Sequence, residues 1–366
     1  MRVAFIAPFC DGTGYSNASQ NIILALDHVG VDVIPIWITY SNNPKQIHPK
    51  IKELQKKSAD NIDVVIQCGL PWDFSYKSGV KNIGLFFYET THFRGSGWAN
   101  SCNLMDELWL TTEEQIRACN NSGVTTPTYE INVPVDPEKF DKIYPKINFD
   151  SFNHCYKFYT ISEISYRKNI LGLIASYYAA FTVNDNVCLI IRGFVDGKTA
   201  EETEMHLESI LSIFKKDCRH PGFPPVIFIS DHLSNDQLNG LHQSCNCFVT
   251  VSRGEGWNLP SLDAACFGNT VIVPGWNGTK KIFSDTNQLV INNVLEKNVV
   301  GTQQTVPKLY NLDETWFEPS VSDASKFMKE CYKKKLKIDD YNVLLQRFSF
   351  STVGEQLKNR LLKITP

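Results

Sequence analysis

SRGEGWNLPSLDAACFG, residues 252–268, sets Glu255 in a glycine-flanked turn and Asp263 eight positions later inside a helical pattern. The preceding CFVTVS, residues 247–252, reads as a short buried strand that runs into this turn. Pro260 suits the first turn of a helix and Gly268 its stop. The stretch is therefore strand, loop, helix, the unit from which parallel sheets with crossover helices are built. Its two acids leave two readings open. One is a loop acid beside a helix whose first turn carries an Asp, which the helix dipole favours. The other is that each acid serves one end of a long ligand.

Working outward, the same unit recurs on both sides. RVAFIA (2–7) is a strand, CDGTGYSN (10–17) a turn cluster, and the helix after it, capped by Ser16 or Asn17, ends at Gly30. Further strands are expected at 31–38, 63–68, 82–87 and 107–110, and a helix at 113–122. The proline-rich 133–146 reads as a linker. A second set follows, with strands at 157–162, 187–192, 225–230, 246–251, 270–273 and 288–291. Its helices fall at 169–182, 200–216, 234–243 and 260–267, and an amphipathic segment at 348–362 lies beyond the last strand. The expectation is α/β: two doubly wound, Rossmann-like domains facing an interdomain cleft, where ligands meet the carboxyl ends of strands.

Composition sets outer limits. A chain of 366 residues fits about two domains of roughly 150 residues. A net charge of −3 gives no reason to expect nucleic acid as a partner. The runs Lys56–Lys57 and Lys333–Lys335 read as solvated helix faces, with peripheral membrane association the minority view. The first residues do not have the pattern of a signal peptide, and no window reaches the apolar length of a membrane span. Eleven cysteines at scattered spacing suggest reduced thiols and a cytoplasmic setting; Cys245 and Cys247 read as core.

Three clusters have chemistry to offer. Gly12 and Gly14, between the first strand and helix, could bring backbone N–H groups to a phosphate, or form a plain tight turn. They do not make a dinucleotide fingerprint, because Asn17 stands at the third glycine position and no acid follows the second strand. That disfavours a nicotinamide-dependent oxidoreductase. Arg167 and Lys168, between a strand and a helix, could meet phosphate oxygens, the one as a fork and the other as a point charge; a surface basic pair is the alternative. Glu255 and Asp263, at about 1.5 Å per helical residue, lie on the order of 10 Å apart along the chain path. That span suits a sugar–diphosphate–nucleoside better than two acids sharing one bond, although hydrolase carboxylates at roughly 5–9.5 Å come near it.

EGWNLPSLDAACFGNTVIVP (255–274) resembles the E-x7-E region of the retaining glycosyltransferases of family 4, which have the GT-B fold. The likeness extends through 233–256, the 110–124 helix, the first loop, helix and second strand, and the start of the C-terminal helix. The resemblance implies an N-terminal acceptor domain over 1–140, completed by 348–366, and a donor domain over 153–345. It implies transfer of a hexose from a UDP- or GDP-sugar to a hydroxyl of a glycan or other acceptor, with no metal and no further cofactor. Glu255 would contact the sugar beside the backbone of Trp257, Asn258 and Leu259, and Asp263 would bind the ribose. Lys168, with Arg167, would neutralise the leaving diphosphate; Gly12 and Gly14 would approach donor or acceptor, and His92 would stand beside the reacting sugar. Three departures stand out: Asp263 in place of Glu, Ser162 and Glu163 where the family has an upstream Arg, and Pro134 in place of a Gly. The first two leave a catalytically weak sugar-nucleotide-binding protein as the alternative.

Overall fold

The computed structural model describes residues 1–40, 47–218, 222–299 and 309–365. The apolar runs of the first half assemble a parallel sheet of β1 (Arg2–Ala7), β2 (Asp32–Trp37), β3 (Val64–Cys68), β4 (Lys81–Leu85), β5 (Glu107–Leu110) and β6 (Thr128–Glu130), in the order β2-β1-β3-β4-β5-β6. Every residue of β3 is buried, as a strand covered on both faces requires. The helices of this half are α1 (Gly14–His28), α2 (Pro49–Leu54), α3 (Trp98–Cys102) and α4 (Glu113–Asn121). Thr13, and not Ser16 or Asn17, caps α1, accepting from the Ser16 amide at 3.2 Å. Gly12, at φ +67°, turns the chain early enough to place Thr13 there, and Ser16 is buried within the helix.

The second sheet contains β7 (Tyr156–Glu163), β8 (Val187–Phe194), β9 (Val226–Ile229), β10 (Cys247–Val249), β11 (Thr270–Pro274) and β12 (Leu289–Ile291), in the order β12-β11-β10-β7-β8-β9. Between them run α5 (Ile170–Ala180), α6 (Ala200–Asp217), α7 (Asn235–Ser244), α8 (Leu259–Cys266) and α9 (Asn277–Phe283). Two reciprocal capping boxes start α6 and α7, Thr199 with Glu202 and Ser234 with Gln237. An antiparallel pair, β13 (Val294–Asn298) and β14 (Thr315–Pro319), then leads to α10 (Val321–Lys334), α11 (Tyr341–Phe348) and α12 (Phe350–Ile364). Among the described residues no helix is long and apolar enough to cross a membrane.

The chain ends against its beginning. Val353, Leu357 and Leu361 of α12 are buried in the core of the first sheet, and a Cβ on Gly354 would lie 2.5 Å from the Ala25 carbonyl oxygen of α1. Arg360 clamps the buried Glu107 of β5. Cys245 and Cys247 are core residues of the second half, as expected. β6, α2, α3, α9 and everything from β13 to α11 went unread in the sequence. β6 has three half-buried residues and no apolar run, and β13 exposes most of its side chains.

Candidate functional site

The order of the second sheet reverses between β7 and β10, which are adjacent in space and distant in sequence. In open parallel sheets ligands lie outside such a switch point. The loop leaving β7 carries Arg167 and Lys168, and the loop leaving β10 carries Glu255. The two loops are sewn together. The Arg253 amide donates to the Arg167 carbonyl at 2.8 Å, and the Asn169 side chain donates to the Val251 carbonyl at 2.9 Å. Asn169 itself adopts φ +55° and caps α5, which aims the preceding Lys168 back at β10.

Lys168 Nζ stands 2.7 Å from each carboxylate oxygen of Glu255. Arg167 Nη1 donates to the Gly254 carbonyl at 2.7 Å and lies 3.8 Å from Glu255 Oε2. Burial would raise the Glu255 carboxyl, but Lys168 and then Arg167 outweigh it and hold the group below the usual carboxylate range. Burial also pulls the Lys168 ammonium below its ordinary value, against the opposing pull of Glu255. The result is a compact, largely dehydrated group in which Arg167 and Lys168 face the carboxylates of Glu255 and Glu89.

Asp263 follows in α8, whose start is shaped by Asn258 at φ +79° with its side-chain oxygen accepting from the Ser261 amide at 3.0 Å. Its carboxylate does not join the Glu255 cluster. Oδ1 pairs with Lys139 at 2.7 Å, from the turn at Pro137–Lys139. Between the acids, Trp257 packs edge-on against Phe348, with ring centres 5.5 Å apart, and Leu259 opens α8.

Residues that follow β4 and β5 of the first sheet press directly on this loop. A Cβ at Gly254 would lie 2.8 Å from that of Glu89, and one at Gly256 would lie 2.8 Å from that of Phe87, so both glycines are demanded by close approach. Thr111 and Gln115 both donate to the Gly256 carbonyl at 2.9 Å, and Asn277 of α9 bonds Thr112 and the Tyr88 carbonyl. His92 is placed elsewhere. It is buried with Nε2 3.1 Å from the Asp313 carbonyl, and Nδ1 has no hydrogen-bond partner among the described residues. Gly12 and Gly14 lie at the mouth of β1; a Cβ on Gly14 would meet nothing within 4 Å, so space is open over the start of α1.

Three participants escaped the sequence reading. Glu89, three residues before His92, accepts from Tyr310 at 2.7 Å and lies 3.5 Å from Arg167. Glu318 of β14 gathers Arg253, Lys297 and Asn169, which bolts the β13–β14 pair to the β10 loop. An acid at the carboxyl end of a strand was the available signal for Glu89; for Tyr310 and Glu318 there was none.

No protein-family model and no curated protein sequence matches this chain. Solved structures do. HepE of Anabaena in complex with UDP-glucose aligns over 100% of both chains at 12% identity, with a TM-score of 0.66. The sucrose-phosphate synthase of Thermosynechococcus elongatus aligns over 100% of this chain and 99% of its own at 12% identity, TM-score 0.66. The trehalose-6-phosphate synthase OtsA aligns over the same shares at 11% identity, TM-score 0.65. Together with the two six-stranded parallel sheets, these full-length alignments establish the GT-B architecture, and at such identities they establish the fold alone.

Proposed function

We propose that the protein is a retaining glycosyltransferase that moves a hexose from a UDP- or GDP-sugar to a hydroxyl of a glycan or other acceptor, without a metal ion. The observation that carries this reading is the pairing of Lys168 with Glu255 at the switch point, with Arg167 alongside. Such a cluster suits a reaction in which negative charge gathers on a departing diphosphate. Lys168 and Arg167 take that charge. Glu255, freed from Lys168, holds the sugar beside the backbone of Trp257, Asn258 and Leu259, and Asp263 takes the ribose in place of Lys139. The sugar–diphosphate bond breaks with its electron pair leaving on the phosphate oxygen, and the acceptor hydroxyl attacks the same face and passes its proton to that departing oxygen. In this scheme Gly12 and Gly14 bring the backbone at the start of α1 toward the donor phosphate or the acceptor, and His92 stands beside the reacting sugar. Two neighbours of the same fold, HepE and OtsA, are respectively a complex with UDP-glucose and a sugar-phosphate synthase, which supports the donor class.

A second reading has one observation in its favour. Both acids are already paired with protein cations, as in a chain that holds a sugar nucleotide without turning it over. A panel of UDP-, GDP- and ADP-sugars, assayed for cleavage and for binding, separates the two. The transferase reading expects one donor to be cleaved, with turnover lost in Glu255→Ala and mainly affinity lost in Asp263→Ala. Binding of a donor that is never turned over, even with candidate acceptor sugars present, sinks it.

A further inference from the structure

Two carboxylates converge on Arg167, and they come from different domains. Glu255 arrives on the β10 loop, Glu89 on the loop that follows β4. Glu89 Oε1 lies 3.5 Å from Arg167 Nη1 while Oε2 accepts from the Tyr310 hydroxyl at 2.7 Å. Gly254 makes this approach possible, since a Cβ there would stand 2.8 Å from the Glu89 Cβ and 3.1 Å from its carbonyl oxygen. The side chains of Arg167, Lys168, Glu89 and Glu255 expose only 18%, 15%, 16% and 7% of their surface. Arg167 and Lys168 thus face Glu89 and Glu255 at close range in a nearly dry enclosure, with Glu163 acting on Arg167 from further off.

A bound diphosphate brings about the same two negative charges to the same two cations. It can reach them only by displacing carboxylates. On the sugar-nucleotide reading, on which this step rests, Glu255 moves to the sugar. Glu89 then gives up Arg167, and with it the more distant Lys168, and keeps the Tyr310 hydroxyl. We propose that Glu89 holds the place of the donor diphosphate on Arg167 in the empty protein. It is a specificity-determining residue: it lowers the affinity for diphosphates, leaves that for phosphate-free nucleosides alone, and makes donor entry compete with an ion pair between domains.

The test uses the full chain and titrates inorganic pyrophosphate, UDP, GDP, uridine and guanosine by calorimetry against wild type, Glu89→Gln and Glu89→Ala. Removing a nearby competing anion is expected to tighten pyrophosphate and the preferred nucleoside diphosphate about tenfold and to leave the nucleoside unchanged. Gln keeps the shape and the Tyr310 contact, so it decides the outcome if Ala lowers the melting temperature. Unchanged or weaker pyrophosphate binding in a variant that melts like wild type overturns the inference. So does a parallel shift in nucleoside affinity, which would mark a general effect on domain docking, and so does wild-type protein that binds neither pyrophosphate nor nucleotide. Tighter pyrophosphate in Glu89→Gln without turnover of any sugar donor would uphold the role of Glu89 while removing the transferase reading. Donor turnover with no Glu89 effect would do the reverse.

Discussion

Replacing Lys168 by methionine keeps an apolar stem of similar length and strips the ammonium from Glu255. At 2.7 Å and an effective dielectric near 20, the attraction between the two charges is about 6 kcal/mol. Dehydrating both groups takes most of that back, so the intact pair adds little net stability. The single variant is different, because Glu255, with its side chain 7% exposed, keeps Arg167 at 3.8 Å and the Ser252 hydroxyl but loses its closest cation. Breaking one side of a buried pair costs about 3–5 kcal/mol, and the remaining guanidinium places Lys168→Met near 3. Glu255→Gln removes the orphaned charge, so Lys168→Met/Glu255→Gln is expected to cost about 1 kcal/mol or less relative to wild type. Urea unfolding followed by circular dichroism, at about pH 7 and about pH 4, reads both terms. The pH arm has a definite sign. The folded Glu255 carboxyl lies below its unfolded value, so its contribution is present above the unfolded value and is lost as pH falls through the folded one. In Lys168→Met burial is opposed by Arg167 and Ser252 without the largest opposing charge, so that carboxyl rises from its wild-type position and the gap to wild type must narrow at the lower pH. A cost under about 1 kcal/mol at neutral pH, or a double variant no better than the single, would show that water reaches Glu255 and that the enclosure argued above does not exist.

Other perturbations probe the scaffold. Burial drives the His242 imidazole down to about 4, with Asp263 opposing. From about pH 6.5 to about 4 the unfolded chain therefore binds a proton that the folded chain refuses. Stability should fall by about 3 kcal/mol across that window, and His242→Gln should remove this step from the urea midpoints. Gly354→Ala drives a Cβ to 2.5 Å from the Ala25 carbonyl, backbone against backbone, so the contact between α1 and α12 should loosen at a cost of about 1–3 kcal/mol, seen as faster proteolysis of the C-terminal helix. Gly278→Ala sets a Cβ 2.4 Å from the Trp257 Cα; a similar loss in melting temperature is expected, together with weaker donor binding, because that backbone flanks Glu255. Wild-type donor affinity in Gly278→Ala would detach α9 from the site.

What the sequence conveyed and what it withheld divide along a physical line. Strands such as 2–7, 63–68 and 107–110 were legible because residues buried on both faces of a parallel sheet write a continuous apolar run, and 252–268 because proline and glycine punctuate one helix at both ends. Read from the sequence, Glu255 and Asp263 stand at opposite ends of one ligand, with a plain loop acid beside a helix as the alternative; in the structure the two acids meet Lys168 and Lys139. Which cations was not in the spacing. Lys168 meets Glu255 across 87 positions, and Lys139 meets Asp263 across 124. The first contact exists because β7 and β10 are neighbours in a sheet whose order no single strand encodes. The second exists because the turn at 137–139 crosses in front of α8. Glu89 lay beyond reach for the same reason: it meets Arg167 only where the two sheets are pressed together, at a glycine whose missing side chain leaves room for the Glu89 Cβ. Residues that read as a weak match to a familiar pattern, Asp263 above all, are thus completed from outside the pattern. A methylene shorter than Glu, its side chain meets Lys139 from the turn at Pro137–Lys139, so on the proposed function a ribose has to displace that lysine before it can engage the acid.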